Sequence, residues 1–82
     1  MSKVLAENVD RQNYVEYDYH GGPFDRGSAD SWYWRPRCPH YYPNGTATHP
    51  KIEREDMTDE EVKAYYAGYD YNEQSGGKKD WG

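Results

Sequence analysis

Met57-Thr58-Asp59-Glu60-Glu61-Val62 spells the start of a helix in its own side chains. The Thr58 hydroxyl stands where it can accept from the Glu61 amide, and the Glu61 carboxylate where it can accept from the Thr58 amide. Met57 and Val62 hold the hydrophobic staple positions on either side, and three carboxylates in the first turn suit the positive end of the helix dipole. Val62, Tyr65, Tyr66 and Tyr69 then recur at i, i+3, i+4 and i+7, and Gly76 offers a stop, so the spacing predicts a helix over 59–74 with one aromatic face. Something must cover that face. Gly68 lies inside the helix at a cost of about 1 kcal/mol relative to alanine, which is offset when another backbone packs closely against it. Gly27 is the expected partner, because Phe24 stands three residues before it as Tyr65 stands before Gly68. Two helices matched in this way pair as a hairpin with glycines at the crossing.

The covering material is unusual. Leucine, isoleucine, valine and phenylalanine are limited to Val4, Leu5, Val9, Val15, Phe24, Ile52 and Val62, against ten tyrosines and three tryptophans. An aromatic ring buries about 150–250 Å², so these rings can replace an aliphatic core where their hydroxyl and indole groups find partners. With 82 residues the chain forms one domain and buries only about 60% of its unfolded surface, which argues against a deep substrate cavity.

The first helix is expected from about 25 to 34, capped by Asp25 or Ser28 after the Gly21-Gly22-Pro23 break and ended ahead of Pro36. Residues 13–19 alternate, with Val15, Tyr17 and Tyr19 on one face, as a half-exposed strand does. Residues 1–12 read as a mobile tail and 13–82 as the single domain. Pro36, Pro39, Pro43 and Pro50, with Asn44-Gly45 as a turn, make the intervening segment extended and non-helical. The expected fold is therefore a small α+β, α-rich domain: two short helices packed through aromatics, a proline-rich irregular segment and a short N-terminal strand.

No set of nucleophile, base and orienting group can be assembled, so no catalytic residue is assigned and the chain reads as non-enzymatic. Cys38, His40 and His49, with His20 as a fourth donor, match no familiar zinc spacing, and neither metal nor cofactor is expected. The acidic runs around the second helix are explained as caps, and the glycine pairs lack the context of a phosphate loop. A lone cysteine, a polar N-terminus and the lack of a long apolar run suggest a soluble protein of a reducing cytoplasm with no membrane partner.

What remains is RGSADSWYWRPRCPHYYP, residues 26–43. Three consecutive aromatics on a helix span about 200° of its circumference, so one face cannot bury Trp32, Tyr33 and Trp34 together, and Trp32 or Trp34 is expected outside or against the proline segment. Trp, Tyr and Arg are enriched in binding hot spots because they bury area with few rotors, and prolines lower the entropy cost of presenting them. Arg26, Trp32, Trp34, Arg35, Arg37, Tyr41 and Tyr42 are accordingly the candidate partner-binding residues. The net charge of −5 is uneven: residues 26–51 hold Arg26, Arg35, Arg37 and Lys51 against Asp30 alone, and the remainder carries −8. An acidic remainder repels a phosphate backbone, which favours a protein partner over RNA.

The runs GGPFDRGSADSWYWRPRCPHYYPNGT, AYYAGYDYNEQ and KKDW resemble a group of short tyrosine-rich proteins of tailed bacteriophages, which implies a host bacterial protein as the partner but lends no activity. More distantly, Arg26-Gly27, the turn at Cys38-Pro39-His40 and Tyr41, and Gly68-Tyr69 follow an order similar to the ribosome modulation factor family. That resemblance implies a two-helix protein docking on the ribosome, with Arg26, Arg35 and Arg37 on phosphates and Tyr41 stacking on a base. The family is basic and this chain acidic, which puts the ribosome or RNA second.

Overall fold

The structure, a computed structural model, describes residues 9–46 and 48–80. Two helices dominate it, α1 over Pro23–Trp32 and α2 over Asp59–Ser75, and a two-residue antiparallel pairing of β1 (His40–Tyr41) with β2 (Ile52–Glu53) closes the segment between them. The architecture is the α-rich α+β domain expected. Helix α2 carries the complete capping box: Thr58 Oγ1 accepts from the Glu61 amide at 3.1 Å and Glu61 Oε1 from the Thr58 amide at 2.8 Å. It ends on Gly76 at φ 78°, where a left-handed residue frees the chain from the helix.

The two helices meet at their glycines. A Cβ added to Gly27 would stand 2.0 Å from the Tyr65 carbonyl oxygen, and one added to Gly68 would stand 2.0 Å from that of Phe24. Any side chain at either position forces the backbones apart. Around this crossing lie the buried Phe24, Ala64, Tyr65 and Ala67. Tyr14 and Tyr71 extend the core by packing their rings on Phe24, with centroids 5.6 and 5.7 Å away.

Two local expectations, the strand and the cap of α1, are corrected. Residues 13–19 do not form a strand: Arg11–Tyr17 is a 3-10 helix kinked at Tyr14 and capped by Asp10, whose side chain accepts from the Gln12 amide. Alternation over so few residues mimics a strand, and the Asp10 cap, a local hydrogen bond, decides otherwise. Val15, expected on the inner face, is 71% exposed. Of the expected tail, residues 1–8 lie outside the described residues, whereas the Val9 amide is bound by Gln74 Oε1 and residues 10–12 cap and begin the 3-10 helix. Helix α1 is capped by neither Asp25 nor Ser28. It begins on Pro23 with Gly22 as the cap, and Asp25 reaches back to accept from the Gly21 amide at 2.9 Å. Proline suits this first position because its missing N–H has no intrahelical use there.

Two outcomes follow for stability. Thr58→Ala removes one half of the capping box and lowers stability by about 1 kcal/mol, measured in a denaturant melt. Gly68→Ala adds a favourable helix propensity of about 1 kcal/mol yet must open the crossing, so a net loss of about 2 kcal/mol or more is expected. A variant as stable as the parent would show that the helices separate at little cost.

Candidate binding surface

The segment after α1 is positioned from below by a polar network that begins at Asp30, on the inner face of that helix. The Tyr65 hydroxyl donates to Asp30 Oδ2 at 2.5 Å and accepts from the Cys38 amide at 3.0 Å. His40 continues the chain: its Nε2 accepts from Arg26 Nε at 3.3 Å, which leaves the proton on Nδ1 to be donated to the Cys38 carbonyl at 2.7 Å. Asp30, His40 and Arg26 are buried, and every buried polar side-chain atom among the described residues has a partner. The network costs little for that reason, since an unmet buried group would forfeit its hydration without return. Burial, and then the bond to Asp30, push the Tyr65 hydroxyl pKa well above that of a free tyrosine.

Helix α1 terminates in a Schellman geometry with an uncommon residue at its pivot. The Arg35 amide donates to the Asp30 carbonyl at 2.8 Å and the Trp34 amide to that of Ser31 at 3.1 Å, with Trp34 left-handed at φ 65°. Glycine normally occupies this position, because a Cβ costs roughly 1–2 kcal/mol there. Here the indole is held instead: Trp34 Nε1 donates to the Lys79 carbonyl at 2.8 Å, and the Lys78 ammonium lies 4.7 Å from the ring centroid. The Lys79 amide in turn donates to the Trp32 carbonyl at 2.7 Å, so residues 77–80 brace the end of α1.

The expected binding residues divide into three groups. Trp32, Trp34, Arg35 and Arg37 share an exposed ridge with Tyr33 and Pro36, so both tryptophans are outside and not just one. Arg37 reaches Asp70 at 2.6 Å and lies 4.5 Å from the Tyr69 centroid, while the Tyr69 hydroxyl donates to the Arg35 carbonyl at 2.5 Å. Arg26 stands apart from the ridge. It is 8% exposed and belongs to the network, because its position on the inner face of α1 points it at Asp30 and His40. Tyr41 and Tyr42 form the third group, both half-buried. The Tyr41 hydroxyl donates to Glu61 Oε2 at 2.8 Å, and burial followed by that bond raises its pKa to about 12. The ring of Tyr42 lies 5.8 Å from the Arg26 guanidinium.

The sequence reasoning missed Lys78 and Lys79, whose pairing just after the Gly76 stop was the available signal, and Tyr69 and Asp70 as the floor under Arg35 and Arg37. Of the metal candidates, His40 spends both ring nitrogens on protein, and no group of three or more potential ligands forms among the described residues. No helix among them is long and apolar enough to cross a membrane. No family model, curated protein or solved structure matches the chain.

The hydrogen-bonded tyrosines Tyr41 and Tyr65 set an alkaline limit. Their folded pKa values exceed the unfolded value of about 10, so the folded state retains protons that the unfolded state releases. Their contribution is complete below about pH 10; that of Tyr41 is lost as the pH rises through its folded value, about 12, and that of Tyr65 only at higher pH. Denaturant melts are expected to hold level up to that onset and then weaken, with tyrosinate absorbance at its upper end rising together with unfolding. Tyr41→Phe narrows the loss.

Proposed function

We propose that this chain is a non-enzymatic binding protein that docks on a bacterial host protein through the ridge Trp32-Tyr33-Trp34-Arg35-Pro36-Arg37 and modulates its partner. The observation that carries the reading is Trp34, held 59% exposed in a left-handed conformation that a glycine would adopt without strain. A glycine would meet the backbone requirement of the helix end without the strain that this aromatic carries. Backbone strain of this kind is a mark of functional positions, and Trp, Tyr and Arg dominate interface hot spots. The ridge is also preorganised: Arg35 lies 5.0 Å from the Tyr33 centroid, and Arg37 is fixed between Asp70 and Tyr69, so docking orders few side chains anew. A protein partner is favoured over the ribosome or RNA because Arg37 and Lys78 already face the carboxylates of Asp70 and Glu73. The resemblance to phage proteins supports a host protein in that role.

Trp34→Gly separates function from fold. It relieves the roughly 1–2 kcal/mol of left-handed strain while losing one hydrogen bond of about 1 kcal/mol and a cation–π contact of about 0.5–1 kcal/mol, so stability stays within about 1 kcal/mol of the parent. Binding to a host protein captured from bacterial lysate after nuclease treatment is expected to fall by about 2 kcal/mol or more in this variant, and to weaken in Arg37→Ala. Capture unchanged by both substitutions refutes the ridge, and capture abolished by nuclease points to RNA instead.

A further inference from the structure

Behind the ridge, the outward side of the Asp30 network opens into a cavity of about 280 Å³ whose charged lining is Arg26, Arg35, Lys51 and Asp30, with His40 beside them. A second cavity of about 660 Å³ shares Arg26, Arg35 and Tyr42 with the first and is walled on its far side by Tyr33. Trp34 and Arg37 line neither. A binding site here therefore lies beside the proposed docking ridge, with Tyr33, Arg35 and Pro36 common to both and Trp34 and Arg37 outside it.

Arg26 is the reason to read the cavity as a site. Its side chain is nine-tenths buried, yet its bonds to the described residues use only Nε, to His40, and Nη2, to Asp30 Oδ1 at 3.5 Å. No fully buried side-chain nitrogen among the described residues lacks a partner, so Nη1, which makes no such bond, is not fully buried, and Arg26 lines both cavities. Arg35 Nη1 stands 3.5 Å from the same Asp30 oxygen, which places the two guanidinium groups no more than about 7 Å apart. Both separations exceed the roughly 2.7–2.9 Å of a strong charge-assisted bond. Asp30 commits its other oxygen to Tyr65 at 2.5 Å and compensates the pair incompletely. Lys51 faces Glu53 at 3.6 Å with both side chains about half exposed, a screened pair that gives way readily to a ligand.

We propose that this cavity binds a phosphate monoester, with the phosphate on Arg26, Arg35 and Lys51 and the esterified group in the larger cavity between Tyr33 and Tyr42. Once Lys51 is released from Glu53, three cations against Asp30 leave two positive charges on the lining of the smaller cavity. A monoester, carrying about −1.5 to −2 at neutral pH, neutralises them, whereas a carboxylate or phosphodiester neutralises only one. The larger cavity is unsuited to the phosphate itself, because Asp25 lines it, held by the Gly21 amide. Its tyrosines suit an organic group.

The test uses the full chain, following the arginine side-chain nitrogens by NMR while phenyl phosphate is added, with benzoate as the carboxylate control. Saturable shifts at Arg26 and Arg35 are expected, with phenyl phosphate bound about tenfold or more tightly than benzoate, the equivalent of one further charge-assisted bond. The surface variant Lys51→Gln/Arg35→Gln is expected to keep the folded spectrum and lose about tenfold or more in affinity. The absence of saturable shifts, equal binding of benzoate, or undiminished affinity in the variant overturns the proposal. Adenosine 5′-monophosphate and a short phosphoserine peptide then distinguish a free metabolite from a phosphorylated side chain: the one bound more tightly than inorganic phosphate names the source. If neither is, the site holds an adventitious ion only and the proposal fails.

Discussion

Everything else in the structure depends on how closely α1 and α2 approach. With the Cβ positions of Gly27 and Gly68 each 2.0 Å from a carbonyl oxygen of the other helix, the backbones themselves are in contact. This closeness compensates for a shortage of aliphatic side chains. A chain that buries Phe24, two alanines and a tyrosine among its described apolar residues has little side-chain volume with which to fill a wide interhelical space. Backbone contact removes that space, and dispersion between the main chains replaces what leucines would otherwise supply.

The polar residues on either side of the crossing complete the interface. Toward one side, Asp30 is bound by Tyr65 and, through Arg26 and His40, tied to the segment after α1. Toward the other, the fully buried Ser31 hydroxyl donates to Glu73 at 2.7 Å and accepts from Asn72 at 2.9 Å. Lys78 bonds both Ser31 and Glu73, and its contact with Glu73 holds that carboxyl below its usual pKa. The adjacent residues Asp30 and Ser31 thus face two different clusters. Each cluster carries a connecting strand of chain, residues 35–42 in the first and 77–80 in the second, onto the helix pair.

These two strands of chain determine what the surface offers. The C-terminal one braces Trp34 through Lys78 and Lys79, while the proline-rich one brings His40 opposite Arg26 and Arg35, where Lys51 joins from just before β2. Arg35 lies between ridge and cavity, its guanidinium near Asp30 and its carbonyl bound by Tyr69. A ligand in the cavity and a partner on the ridge would therefore both contact the same arginine, which gives the two proposed activities a physical route to influence one another.

Local signals in the sequence were sufficient for the second helix and for the glycine crossing. Thr58 and Glu61 cap each other within one turn, Gly76 ends the helix through its own backbone freedom, and the matched glycines report a contact between two periodic elements. The residues around Asp10 were harder to read, because a capping bond within the segment competes with an alternation too short to decide. For Arg26, Tyr41, Tyr42 and Trp34 the sequence established only the residue types. Whether an arginine faces a partner or an interior depends on which side of α1 receives the returning chain, and that is set by bonds such as Cys38 to Tyr65 and Tyr42 to Gly21 across long loops. The capping and helix periodicity of this protein are properties of neighbours in sequence. The burial of Arg26, the braced left-handed Trp34 and the cavity between them are properties of contacts that exist only once the helices have crossed.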